Sequence, residues 1–92
     1  MMRLWGKIIK NNKIIKDNTV PLIVKDDDYQ QALKASIAEL CDGFDISKPY
    51  WLNKNLNEYN RMGKTTFNEN NFIDDIDFDK FIIEELRDKK EK

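Results

Sequence analysis

The stretch KIIKNNKIIKDN, residues 7–18, is where the fold of this chain is decided. Lys-Ile-Ile-Lys occurs twice, at 7–10 and 13–16, with Asn11-Asn12 between the copies. Isoleucine is β-branched and suits a pleated strand. Asparagine accepts the positive φ that both central residues of a type I′ turn require. The pattern predicts a hairpin with strands near 2–10 and 13–20. With a two-residue loop, Ile9 faces Ile14, Ile8 faces Ile15, Lys10 faces Lys13 and Lys7 faces Lys16. Leu4, Ile8 and Ile15 then share one face, and Trp5, Ile9, Ile14 and Val20 share the other. Neither face is purely polar. The hairpin is therefore covered on both sides, or covered on one and adhesive on the other. Like charges directly opposite cost roughly 0.2–1 kcal/mol, so each lysine has to reach water or an acid.

Downstream, Pro21 ends the second strand because it donates no ladder hydrogen bond. Leu22-Ile23-Val24 is a short apolar connection. The strongest helical periodicity covers about 28–42, where Tyr29, Leu33, Ile37, Leu40, Cys41 and Phe44 recur at helical spacing. Asp27 or Asp28 caps its start, with Gln30 or Gln31 three residues on. Gly43 suits the residue just past its end. A weaker helix follows SKPYWL (47–52), with Leu52, Leu56, Tyr59 and Met62 roughly in phase and Gly63 as its stop. Thr66 with Glu69 has the spacing of a capping box for a short helix over 67–74. The Phe- and Ile-rich run 80–86 suits a third strand, and 87–92 reads as a frayed tail.

These pieces specify a single α+β domain over 1–92. An N-terminal β-hairpin and a C-terminal strand form a small antiparallel sheet, packed by one main helix and one or two short ones. Placing the last strand beside the first protects one edge of the sheet. With 92 residues, such a domain buries roughly 60–65% of its unfolded surface, which leaves modest stability.

Composition excludes several chemistries. The chain has no histidine and one cysteine. Ser-His-Asp and Cys-His catalysis, a disulfide within the chain and a thiolate zinc cluster are all ruled out. Cys41 lies on the apolar stripe of the main helix and reads as packing. The three glycines, Gly6, Gly43 and Gly63, are too dispersed for a phosphate loop. Asp75, Asp77 and Asp79 suggest calcium, but Lys80 and Leu86 stand where an EF-hand needs Gly and Glu. Alternation with Ile76 and Phe78 instead suits a half-buried extended segment. No catalytic residue, metal ligand or cofactor is expected.

Charge is uneven although the net value is −1: residues 1–16 carry +5, 17–66 carry −2 and 67–92 carry −4. Complementary packing of the two ends, or simple solvation, accounts for this. So does a nucleic-acid ribbon made of Lys7, Lys10, Lys13 and Lys16 beside Trp5, although strand lysines also guard against edge-to-edge aggregation. Tyr50-Trp51 is the other aromatic cluster, and it reads as core closing over a helix end or as an interface anchor. No stretch reaches the ~20 apolar residues of a membrane span and the start lacks the apolar region of a secretory signal, so the expected location is cytoplasmic.

MRLWGKIIKNNKIIK (2–16), ELCDGFDISKPYWL (39–52) and TTFNENNFIDDIDFDKF (65–81) together resemble a group of small proteins of low-GC Gram-positive bacteria. That resemblance implies a cytoplasmic bacterial domain and carries over no activity, cofactor or site residue. The expected function is a non-enzymatic protein-interaction or structural module, with a protein partner or self-association. The binding candidates are Trp5, Lys7, Lys10, Lys13, Lys16, Tyr50 and Trp51. Nucleic-acid binding by the lysines is the first alternative. A small-ligand or divalent-ion site at the 74–79 carboxylates is the second.

Overall fold

The computed structural model of the chain describes residues 2–87. Strands β1 (Met2–Lys10) and β2 (Lys13–Pro21) are followed by helix α1 (Tyr29–Phe44) and helix α2 (Asn53–Met62). Strand β3 (Lys64–Phe67), a single 3₁₀ turn (Glu69–Asn71) and strand β4 (Lys80–Arg87) complete it. The sheet is antiparallel with order β2-β1-β4-β3, so the first and last strands lie side by side at its centre. This is the α+β fold expected from the hairpin.

The hairpin turn forms as predicted: Asn11 and Asn12 have φ of 55° and 65°. Ile9 pairs with Ile14 and Lys10 with Lys13. Beyond that the register slips, because a β-bulge between Ile8 and Ile9 sets Ile8 opposite Lys16 and Lys7 opposite Asp17. One extra residue on β2 therefore overturns the expected Ile8–Ile15 and Lys7–Lys16 pairs. It also moves Val20 to the face of Leu4, its new partner, where it is buried. A strict two-residue count cannot see such an insertion. The bulge further relieves the like-charge pair expected at Lys7.

Both helices pack on the Leu4–Gly6–Ile8 face. A Cβ built on Gly6 would stand 2.9 Å from Leu40 Cδ1, so α1 lies against bare backbone there. Phe81 on β4 is fully buried at the centre, ringed by Phe44 from α1 and Phe67 from β3. The opposite face carries Trp5, Lys7 and Ile9 from β1 and Ile82, Glu84 and Leu86 from β4. Among the described residues no helix covers it.

Local signals account for most element ends. Asp28 caps α1 by accepting from the Gln31 amide. The expected stop at Gly43 is corrected: the helix runs on to Phe44, and Asp45 takes the left-handed C-cap position, with φ of 60°. Ile46 N–H closes the cap on Cys41 O. Phe44 is wanted in the core, which holds the last turn in helical form. Gly63 does end α2 in the left-handed region.

The expected helix over 67–74 is not formed. Thr66 and Phe67 belong to β3 instead, and Asn68, not Thr66, caps the short 3₁₀ turn. The terminal strand is thus the fourth and not the third. Arg87 belongs to β4, whereas the rest of the expected tail, 88–92, lies outside the described residues. No helix among the described residues is long and apolar enough to cross a membrane.

Candidate functional site

The four hairpin lysines do not form one surface. Lys7 lies on the open face of the sheet, with its ammonium 3.9 Å above the Trp5 ring and 3.9 Å from Glu84. Lys16 is on the helix side and donates to Phe44 O, one of the last carbonyls of α1, where a cation is favoured. Lys10 and Lys13 flank the turn, whose Asn11 amide donates to Asp79. Lys10 and Lys16 line one hollow with Asp45 and Asp77. The basic hairpin therefore meets the acidic C-terminal half, as charge complementarity between the ends predicts.

Trp5 is half-buried. Its indole N–H donates to Asp17 at 3.0 Å, and Lys7 occupies one face of its ring. Base stacking on the Lys7 side of the ring would have to displace that lysine.

The carboxylates of 74–79 are exposed. Asp74, Asp75 and Asp77 border a surface hollow with Asp45, while Ile76 and Phe78 turn inward, as their alternation predicts. No three acidic or thiol side chains among the described residues converge as a metal-binding group.

Tyr50 and Trp51 part company. Tyr50 is 58% exposed. Trp51 is half-buried and stacks edge-on against Tyr59 and Phe67, at 5.7 and 5.3 Å between centroids. Its remaining surface lines a groove of about 240 Å³ between α1 and α2, whose apolar walls are Tyr29, Leu33, Trp51, Leu56 and Tyr59. The helical phase of Leu52, Leu56, Tyr59 and Met62 was legible in the sequence, but only Tyr59 of the four is buried. What turns α2 is Asn55, which is fully buried, so Leu56 is swung out to the lip of the groove and is 45% exposed.

A polar hollow of about 270 Å³ adjoins this groove and shares Tyr29, Tyr59 and Asn60 with it. Within it Tyr29 Oη lies 2.8 Å from both Tyr59 Oη and Glu85 Oε2. Arg87 Nε donates to Glu85 Oε1 at 3.1 Å. A carboxylate has no hydrogen to give, so Tyr29 donates to Glu85, and Tyr59 must then donate to Tyr29. Burial is the main cause that pushes both phenols above their ordinary range, so they persist as donors. Sequence reasoning missed this cluster because its members lie on three elements far apart in the chain.

Cys41 is wholly buried, and burial pushes its thiol up from an ordinary value of 9.0 to about 12. The folded thiol keeps its proton where the unfolded one loses it. Its contribution is thus fully present below pH 9 and is lost as pH rises toward 12. We expect stability to fall above pH 9 by up to about 1.4 kcal/mol per pH unit for each such group. Urea midpoints across that range check this. Cys41→Ala and Tyr29→Phe should each flatten the slope, and equal slopes in all three proteins would exclude the assignment.

No family model matches the chain, and no curated protein or solved structure matches it either.

Proposed function

We propose that this domain is a non-enzymatic protein-interaction module whose contact surface is the groove between α1 and α2. The observation that carries this reading is the uncovered apolar wall. Leu56, 45% exposed, stands at the lip of a groove floored by Leu33, Trp51 and Tyr59. An apolar hollow with aromatic walls and a leucine lip suits a large side chain of a partner peptide, the kind of anchor that dominates interface energetics. The groove rim carries Gln30, Lys34 and Asn60, which supply a polar border.

Selection of peptides from a random display library tests this. Leu56→Asp is expected to leave the fold intact, because the side chain stands 45% exposed at the groove's lip. Selected peptides should lose about tenfold or more in affinity for that variant, the scale of one buried apolar anchor. Selection of no peptides, or of peptides indifferent to Leu56→Asp, overturns the proposal.

A further inference from the structure

The polar hollow sets a chemical condition on what enters the groove. Each of its two phenols has one hydrogen, and both are committed. Tyr59 gives its hydrogen to Tyr29, and Tyr29 gives its own to Glu85. Apart from the exposed Asn60 amide, which can give or accept, what the phenols and Glu85 leave at the hollow is acceptor capacity: lone pairs of Tyr59 Oη and of the Glu85 oxygens. The charged donor that meets them is Arg87, two residues along the same strand.

Glu85 and Arg87 differ sharply in burial. The Glu85 side chain is 12% exposed and the Arg87 side chain 68%. The carboxylate is fixed by Tyr29 and by its place in the sheet, whereas the guanidinium reaches it from solvent. The cation of this pair stands in solvent, where holding it in place contributes little, so an incoming cation can replace Arg87 on the buried carboxylate. The buried charge of the hollow is negative, and it is screened less by salt than the exposed positive one.

We infer that the groove takes a ligand with an apolar or aromatic anchor and a neighbouring multi-donor cation, a primary ammonium or a guanidinium, which binds Glu85 and Tyr59 in place of Arg87. In a protein partner this is a Lys or Arg side chain, or an N-terminal amine, next to a large apolar residue. The inference rests on the interaction-module reading and deepens it: the apolar half supplies contact area, and the acceptor-lined half selects charge.

Three probes matched in size separate the possibilities: phenethylamine, phenethyl alcohol and phenylpropionate, titrated into the full chain and followed by amide chemical shifts. The amine is expected to bind about tenfold more tightly than the other two, the scale of a charge-assisted hydrogen bond, with shifts at Trp51, Tyr59 and Glu85. Glu85→Gln, nearly isosteric and still able to accept from Tyr29, should abolish that preference. Arg87→Ala should tighten amine binding two- to threefold, roughly the value of an exposed ion pair.

Equal binding of the three probes, or a preference for phenylpropionate that Arg87→Ala removes, overturns the inference and leaves the groove reading standing. If no probe binds, or if binding ignores Leu56→Asp, the groove reading fails and the inference fails with it.

Discussion

Replacing Asn55 by leucine is expected to remove about 4 kcal/mol of stability, since it takes a bond from four partly or wholly buried polar groups, and a buried group left unsatisfied costs roughly 1–3 kcal/mol. Asn55 is 0% exposed and uses its whole amide. Its Oδ1 accepts from the Leu52 amide at 3.1 Å and from Asn71 Nδ2 at 2.8 Å. Its Nδ2 donates to Thr65 Oγ1 and to Thr66 O. Asn71, also 0% exposed, donates to Tyr50 O as well and accepts from the Asn68 amide. These two side chains tie α2, β3, the 3₁₀ turn and the segment before α2 into one unit. Leucine has about the right volume but offers none of these bonds, and its apolar burial offsets only part of the loss. In a domain whose total stability is of order 5–15 kcal/mol, that is a large share, about 15–30 °C in melting temperature. Urea unfolding followed by tryptophan fluorescence measures it. Asn57→Leu, at an exposed position on the same helix, is the control and should stay within about 0.5 kcal/mol. A loss for Asn55→Leu as small as that of the control would mean the network is not what holds this half together.

The second large effect is expected at Gly6. Its backbone passes directly beneath Leu40, and an added Cβ would meet Leu40 Cδ1 at 2.9 Å and both Leu40 Cδ2 and Phe81 Cε1 at 3.2 Å. Leu40 and Phe81 are themselves 0% exposed and have nowhere to retreat. Gly6→Val, which by strand preference alone ought to help, should cost about 3 kcal/mol through overpacking. Leu40→Ala by itself costs about 2–5 kcal/mol through the cavity it leaves. The double variant should be more stable than the sum of the two predicts, by 1 kcal/mol or more, because each change fills or vacates the same space. Strict additivity in a denaturation series would show that the strain at Gly6 is relieved elsewhere.

The parts of this fold legible in the sequence are those governed by local chemistry. Asn11-Asn12 specifies its turn, Asp28 is the one of two candidate aspartates that caps α1, and Gly63 stops α2. The apolar stripe from Leu33 to Phe44 identifies the buried face of α1. The central pairing of β1 with β4 was one strand order among those left open, favoured by edge protection but not dictated by any residue. What escaped was set by tertiary context. The asparagines of α2 count against a helix by propensity, yet Asn55 is its most buried residue, because a side chain with two donors and two acceptor lone pairs can join elements that an aliphatic residue cannot. The bulge in β2 leaves no mark in a run of Lys and Ile, and it moved Val20 across the sheet. Trp51 was singled out with Tyr50, but nothing in SKPYWL says which of the two rings turns inward. Tyr29, Tyr59 and Glu85 come together only once the sheet order places β4 beneath the start of α1.

That sheet order also fixes when the domain can fold. Met2 and Arg87 are partners at the end of the central strand pair. On the ribosome, β1 and β2 emerge first and must wait for more than half of the chain before β4 can join them. Until then the hairpin exposes one apolar face and an unpaired edge, and an isolated two-stranded hairpin is marginal in water. α1 can form early from local contacts, but its landing surface is complete only when Phe81 and Ile83 arrive. Contacts this distant in sequence slow folding and prolong the interval in which partly made chains can pair with one another. The lysines of KIIKNNKIIK carry charge through that interval, so their service to the nascent chain precedes any that they give the finished one.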